Sequence, residues 1–162
     1  SFLYNPLFKS YRVRLFMKIF KLQFLIITFL ISCSTISFAH DGATGIVKER
    51  MDKFKLSKSI MRTINKSFEK EDFNQIKKGA AQLKKWGLEM ENYFPAGSDI
   101  KPSEANEKIW LEPESFKNAI NKFTQASIEL LKVANEQNLD GTIAAFRKVA
   151  GTCKGCHKQF RN

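Results

Sequence analysis

Apolar residues recur at three- and four-residue intervals through four stretches of this chain, and no stretch alternates as a strand would. Each such stripe is stable only when another element covers it, so the pattern restricts the fold to packed amphipathic helices. The first stretch is expected from Gly45 to Ser67, with Val47, Phe54, Met61 and Phe68 recurring at seven and Arg50, Ser57 and Ile64 between them. The second runs from about Asp72, a suitable N-cap, to Asn92, with Phe73, Ile76, Ala80, Leu83, Gly87 and Met90 inward. The third begins near Pro113, which suits a first helical turn, and carries Phe116, Ile120, Phe123, Ser127, Leu130 and Ala134. The fourth starts near Asp140 and carries Ile143, Phe146, Val149, Ala150, Cys153, His157 and Phe160 on one side. Between the second and third lies a long connection rich in turn residues (Pro95, Gly97, Ser98, Pro102), with a short helix expected over Glu104 to Trp110. Four helices with one longer crossover make an all-α, antiparallel four-helix bundle.

Within the fourth stripe, residues 151–160 read GTCKGCHKQF. Cys153 and Cys156 stand one helical turn apart, and His157 follows four residues after Cys153, so all three share one face. Cys-x-x-Cys-His is the attachment signature of c-type haem. Each thiol can add across a vinyl group, and the imidazole can reach the iron from the same side. A thioredoxin-like redox pair needs a strand–helix context that is missing here. A zinc site needs four ligands, and His40 is the only obvious further nitrogen or sulfur donor outside the motif and the leader.

Haem attachment goes with export, and the front of the chain reads as an export signal. Residues 17–39, MKIFKLQFLIITFLISCSTISFA, place Lys18 and Lys21 before an apolar core from Phe24 to Ile31 and end at the small-x-small site Ser37-Phe38-Ala39. Residues 1–39 are expected to be removed, leaving residues 40–162 as the helical haem domain in the periplasm. Leu30 to Cys33 also fits a lipobox, which would instead lipidate Cys33. The formal charge of +11 includes five cations from residues 1–39, which contain no acid; without them 22 basic side chains face 16 acidic ones, a charge of +6. That remainder reads as Lys/Glu mixtures on solvated helix faces, and no motif argues for nucleic acid.

Taken together, GIVKERMDKF (45–54), YFPAGSD (93–99), KIW (108–110) and CKGCHKQFR (153–161) resemble the class II cytochromes c, the cytochrome c′ group. The C-terminal position of the motif is the specific part, since class I proteins carry it near the N-terminus. The resemblance implies one covalent haem c with His157 as the axial iron ligand. It implies that the residue opposite lies four positions after Arg50, which is Phe54. An apolar residue there goes with five-coordinate, high-spin iron and the binding of nitric oxide and carbon monoxide. A methionine there goes with a low-spin electron carrier, and VKERMD resembles that second branch. Met51 or Met61 would be the ligand in that alternative.

Phenylalanine has no lone pair to give, so Phe54 is expected to cap the iron. Arg50, on the same stripe, needs a partner because an unpaired buried charge is costly, and a haem propionate is the expected one. Arg161, one turn after His157, is expected near the proximal pocket. Phe160 is expected to pack on the first or second helix, and Trp86 and Trp110 to serve as core or loop anchors. Relatives dimerise through the first two helices, for which Ile60 or Phe68 would be exposed here; the redox partner is unknown. Enzymatic turnover is not expected, because no distal histidine and arginine are present to assist O–O cleavage.

Overall fold

The computed structural model describes residues 43–162. The expected signal peptide, Cys33 of the alternative lipobox and His40 lie outside the described residues. Among the described residues five α-helices follow in order: α1 (Gly45–Ser67), α2 (Phe73–Glu89), a single turn α3 (Lys108–Leu111), α4 (Pro113–Asn135) and α5 (Leu139–Phe160). The four long ones form the bundle, and no strand occurs among the described residues.

Local chemistry accounts for the helix ends. Asp72 caps α2 by accepting from the Gln75 amide at 3.0 Å, and Asn138 caps α5 by accepting from Gly141 at 2.9 Å. Pro113 opens α4. Glu71 takes a left-handed conformation (φ 48°) that reverses the chain after a 3₁₀ turn at Phe68–Lys70. The expected end of the second helix is tightened: α2 stops at Glu89 and continues as a 3₁₀ turn over Met90–Tyr93. The expected short helix is displaced, because Glu104 to Asn106 are used elsewhere and helix begins only at Lys108.

Packing follows the order α1–α2, α2–α4, α4–α5, and α1 and α5 are less closely packed. Ile64, Ile76, Leu83, Leu130 and Val149 are wholly buried between them. Two glycines set the spacing. A Cβ at Gly79 would lie 2.8 Å from Ile64 Cγ1, and one at Gly87 would lie 2.4 Å from Thr124 Oγ1. The α1–α2 and α2–α4 pairs therefore approach backbone to side chain at those levels.

Two expectations are corrected here. Ile60 is buried in the core and Phe68 packs edge-on against Phe146, centroids 5.3 Å apart, so neither offers an exposed contact for a second copy. Ile60 lies off the stripe of α1 and is covered by α2, while Phe68, on the stripe, is half-buried against α5. Phe160 packs not on α1 or α2 but on Phe116 of α4, at 5.1 Å, because α5 lies beside α4.

Candidate functional site

A cavity of about 640 Å³ lies among α1, α2, α4 and α5. Cys153, Cys156 and His157 line it together, as do Arg50, Phe54 and Arg161. The sequence-predicted site residues are thus gathered at one place. Met51, Met61 and Met90 are also on the wall.

One helical face delivers the motif. Cys153 and Cys156 are half-buried and unpaired, with no disulfide between them. Burial raises the Cys153 thiol, and burial together with Cys153 pushes Cys156 up to about 11. Both stay protonated in the unmodified chain, which disfavours loss to a disulfide because the thiolate is the attacking species. His157 is open to the cavity, yet desolvation by the wall, followed by the charge of Arg161, lowers its pKa; Glu104 opposes the shift. A neutral imidazole is the metal-ligating form.

Phe54 projects from α1 toward this face. Its ring centroid is 6.2 Å from that of His157, 5.4 Å from Trp86 and 6.3 Å from Phe94, all edge-on. The result is an aromatic cage opposite the histidine. Trp86 is buried, and its Nε1–H has no hydrogen-bond partner among the described residues. A buried donor left unpaired costs about 1–3 kcal/mol, so its place on the cavity wall favours a polar atom of a bound group. Trp110 anchors the crossover instead, donating from Nε1 to the Phe94 carbonyl at 3.1 Å.

Arg50 is 3 % exposed. Its Nη1 donates to the Tyr93 carbonyl at 3.0 Å and to Ser98 Oγ at 2.8 Å. Its Nη2 donates to the Ser98 carbonyl and, at 2.8 Å, to Ser103 Oγ. The guanidinium also lies 4.6 Å from the Phe94 ring centroid. Burial lowers its pKa, and Asp99 pulls the other way. The crossover thus supplies hydrogen-bond partners for the buried guanidinium. Ser98 and Ser103 were missed by sequence reasoning, since serines in a polar loop carry no one-dimensional sign of burial.

Arg161 is likewise committed. Its Nε donates to Glu104 Oε2 at 2.6 Å, and its Nη2 donates to the same oxygen. Beside it, Asn106 N donates to the Phe160 carbonyl at 3.0 Å and Asn162 N to the Glu104 carbonyl at 2.9 Å. Residues 104–106 therefore run antiparallel to the chain's last residues and strap the end of α5 beside the motif.

The donor set fits a tetrapyrrole joined through two thioethers. The thiols are free and on one face, the imidazole is neutral beside them, the walls are mostly apolar, and the volume falls within the usual range for ligand sites. A helical bundle so equipped is a c-type haem protein. Comparison with known proteins agrees. The family model described as Cytochrome C' matches residues 45–161. A cytochrome c' of Rhodospirillum rubrum is 38% identical over 69 residues, which are 42% of this chain and 47% of that protein. The match thus spans about half the length of that curated relative. Among solved structures, a nitric oxide complex of a cytochrome c prime variant from Alcaligenes xylosoxidans superposes with a TM-score of 0.65 at 28% identity, over 72% of this chain and 94% of that one. A carbon monoxide-bound variant of the same protein gives 0.66 at 28% identity, over the same shares. The chain belongs to the cytochrome c′ family, and haem c is its covalent cofactor.

Proposed function

We propose that this protein is an exported binder of nitric oxide and carbon monoxide, with His157 holding the iron on one side and Phe54 leaving it open on the other. The haem supplies the gas-binding and one-electron chemistry when bound. The observation that carries the reading is the cage of Phe54, Trp86 and Phe94 facing His157. Phe54 has no lone pair, so it shapes the distal space without closing it. Its ring excludes water from the distal space and itself offers no hydrogen-bond donor. Cys153 and Cys156 tether the cofactor, and His157 orients it from the same helix. The similar structures solved with nitric oxide and with carbon monoxide support this choice of ligands. Binding and electron carriage, rather than enzymatic turnover, belong to the same reading, as do periplasmic location and a homodimer. Cell fractionation and light scattering check those last two.

The test is the visible spectrum of the reduced holoprotein with and without carbon monoxide. The expected result is a broad high-spin spectrum that sharpens with the gas. Phe54→Met is expected to give a split low-spin spectrum with gas affinity reduced at least tenfold. A wild-type spectrum that is already split and indifferent to the gas would mean a protein ligand on the distal side, and the proposal would fail.

A further inference from the structure

Within the Lys/Glu mixture on the helix faces, two stretches carry cations alone. After Asp52, α1 carries no acid to its end, and after Asp140 neither does α5. These two helices flank the cavity. Phe54 meets His157 and Phe68 meets Phe146, so α1 and α5 run antiparallel past each other. That register sets Lys58 of α1 level with Lys154 of α5 and Arg62 level with Gly151, with Lys158 and Arg147 about one turn to either side; all five cations are exposed. Lys58 is itself on the cavity wall. None of these five forms an ion pair among the described residues, whereas Lys48, Lys53, Lys85 and Arg161 all do. Gly151 and Gly155 lie between them on α5, and neither has an atom within 4 Å of where a Cβ would stand.

Unpaired like charges on one face repel each other and weaken the fold, so a compensating use is expected. The proposed gases are neutral and gain nothing from a cationic rim. An acidic macromolecule does gain: complementary fields raise association rates about 10- to 1,000-fold and fall with salt. The rim borders the cavity, and its glycines let a partner's surface come close to it.

We propose that the rim formed by α1 and α5 is a docking surface for the acidic face of a redox partner protein, which exchanges one electron with the haem there. The electron passes from the reduced partner to ferric haem, or the reverse, and no bond is made or broken. The inference rests on the haem assignment and not on which gas binds. A membrane surface is disfavoured, because among the described residues only Leu56 of the four large exposed apolar side chains belongs to these two helices.

The test is stopped-flow reduction of ferric holoprotein by a photoreduced acidic flavodoxin, at ionic strengths from low to high. The wild-type rate is expected to fall steeply with salt. Arg62→Glu, Arg147→Glu and Lys158→Glu together are expected to slow reduction at least tenfold at low salt. The gap should close at high salt, with reduction by dithionite and carbon monoxide binding unchanged. A second triple, Lys78→Glu, Lys117→Glu and Lys132→Glu, makes the same change in net charge away from the rim and is expected to have less than a threefold effect. Equal slowing by both triples would reduce the effect to net charge and overturn the proposal. So would a salt-independent rate. Loss of binding to phosphatidylserine vesicles in the rim triple, with flavodoxin kinetics intact, would assign the rim to membranes instead. Failure of carbon monoxide binding in the wild type would overturn the gas reading alone.

Discussion

Replacing Arg50 by methionine separates the two roles this residue can have. Methionine keeps the unbranched length and the contact with Phe94 but removes every donor. Four hydrogen bonds to the crossover disappear, two of them to Ser98, which is 4 % exposed and has no route to water. A hydrogen bond to a charged group contributes roughly 1.5–3 kcal/mol net, but bonds from one guanidinium are not additive. Relief of the cost of burying the cation offsets part of the loss. The balance is a destabilisation of about 3–4 kcal/mol, or roughly 10–15 °C in Tm for a domain of this size. Circular dichroism during thermal and urea unfolding of the holoprotein measures it. Hydrogen exchange locates it: the amides of Ser98 and Ser103, which donate to Pro95 and Ile100, should exchange much faster while α2 and α4 stay protected. A loss under about 1 kcal/mol with unchanged exchange in the crossover would refute the reasoning. Arg50 would then be bonded mainly to the cofactor, as the resemblance implies.

Other perturbations test the packing and the tether. Gly87→Ala is expected to destabilise by about 1–2 kcal/mol in urea titrations, since a Cβ would also lie 3.1 Å from Thr124 Cα, and that clash outweighs the helix propensity gained. Gly151→Ala, with open space around it, is expected to stabilise by about 0.5–1 kcal/mol, so the two variants should differ in sign. Cys156→Ala should keep haem attached through Cys153 under acid–ketone extraction, whereas the double replacement Cys153→Ala, Cys156→Ala should release it. Glu104→Gln should cost less than about 1 kcal/mol, because the pair with Arg161 is solvent-exposed, and the loss should shrink further in high salt.

The helices were legible because their stripes and caps are local. The helix from Gly45 to Ser67 is signalled by periodicity and the start at Pro113 by a single proline, and both agree with the structure. The haem motif was legible for the same reason, as its three residues share one turn of α5. What could not be read is what depends on contacts far apart in sequence. Arg50 finds Ser98 and Ser103 some fifty residues away, and Arg161 finds Glu104 across a similar gap. Ile60 lies off the apolar stripe of α1, and only the placement of α2 beside it buries it.

The cavity itself follows from where the bundle is least tightly closed. Three neighbouring pairs of long helices pack closely, two with glycines at the contact, while α1 and α5 meet through the rings of Phe54, Phe68, Phe146 and His157. The sides of α1 and α5 on the cavity include small residues, Ser57, Ala150 and Thr152, where a bundle closed by protein alone would place leucine or isoleucine. The apolar faces of a bound haem would complete that side, so cofactor retention and bundle stability would be linked: whatever binds the folded chain and not the unfolded one stabilises it. The linkage explains why the anchoring chemistry sits on α5 and the gating ring on α1. A tether on the last helix holds the cofactor against the α2–α4–α5 core, and α1, the helix least bound to α5, is the one whose side chain can set the distal space without straining the packed pairs.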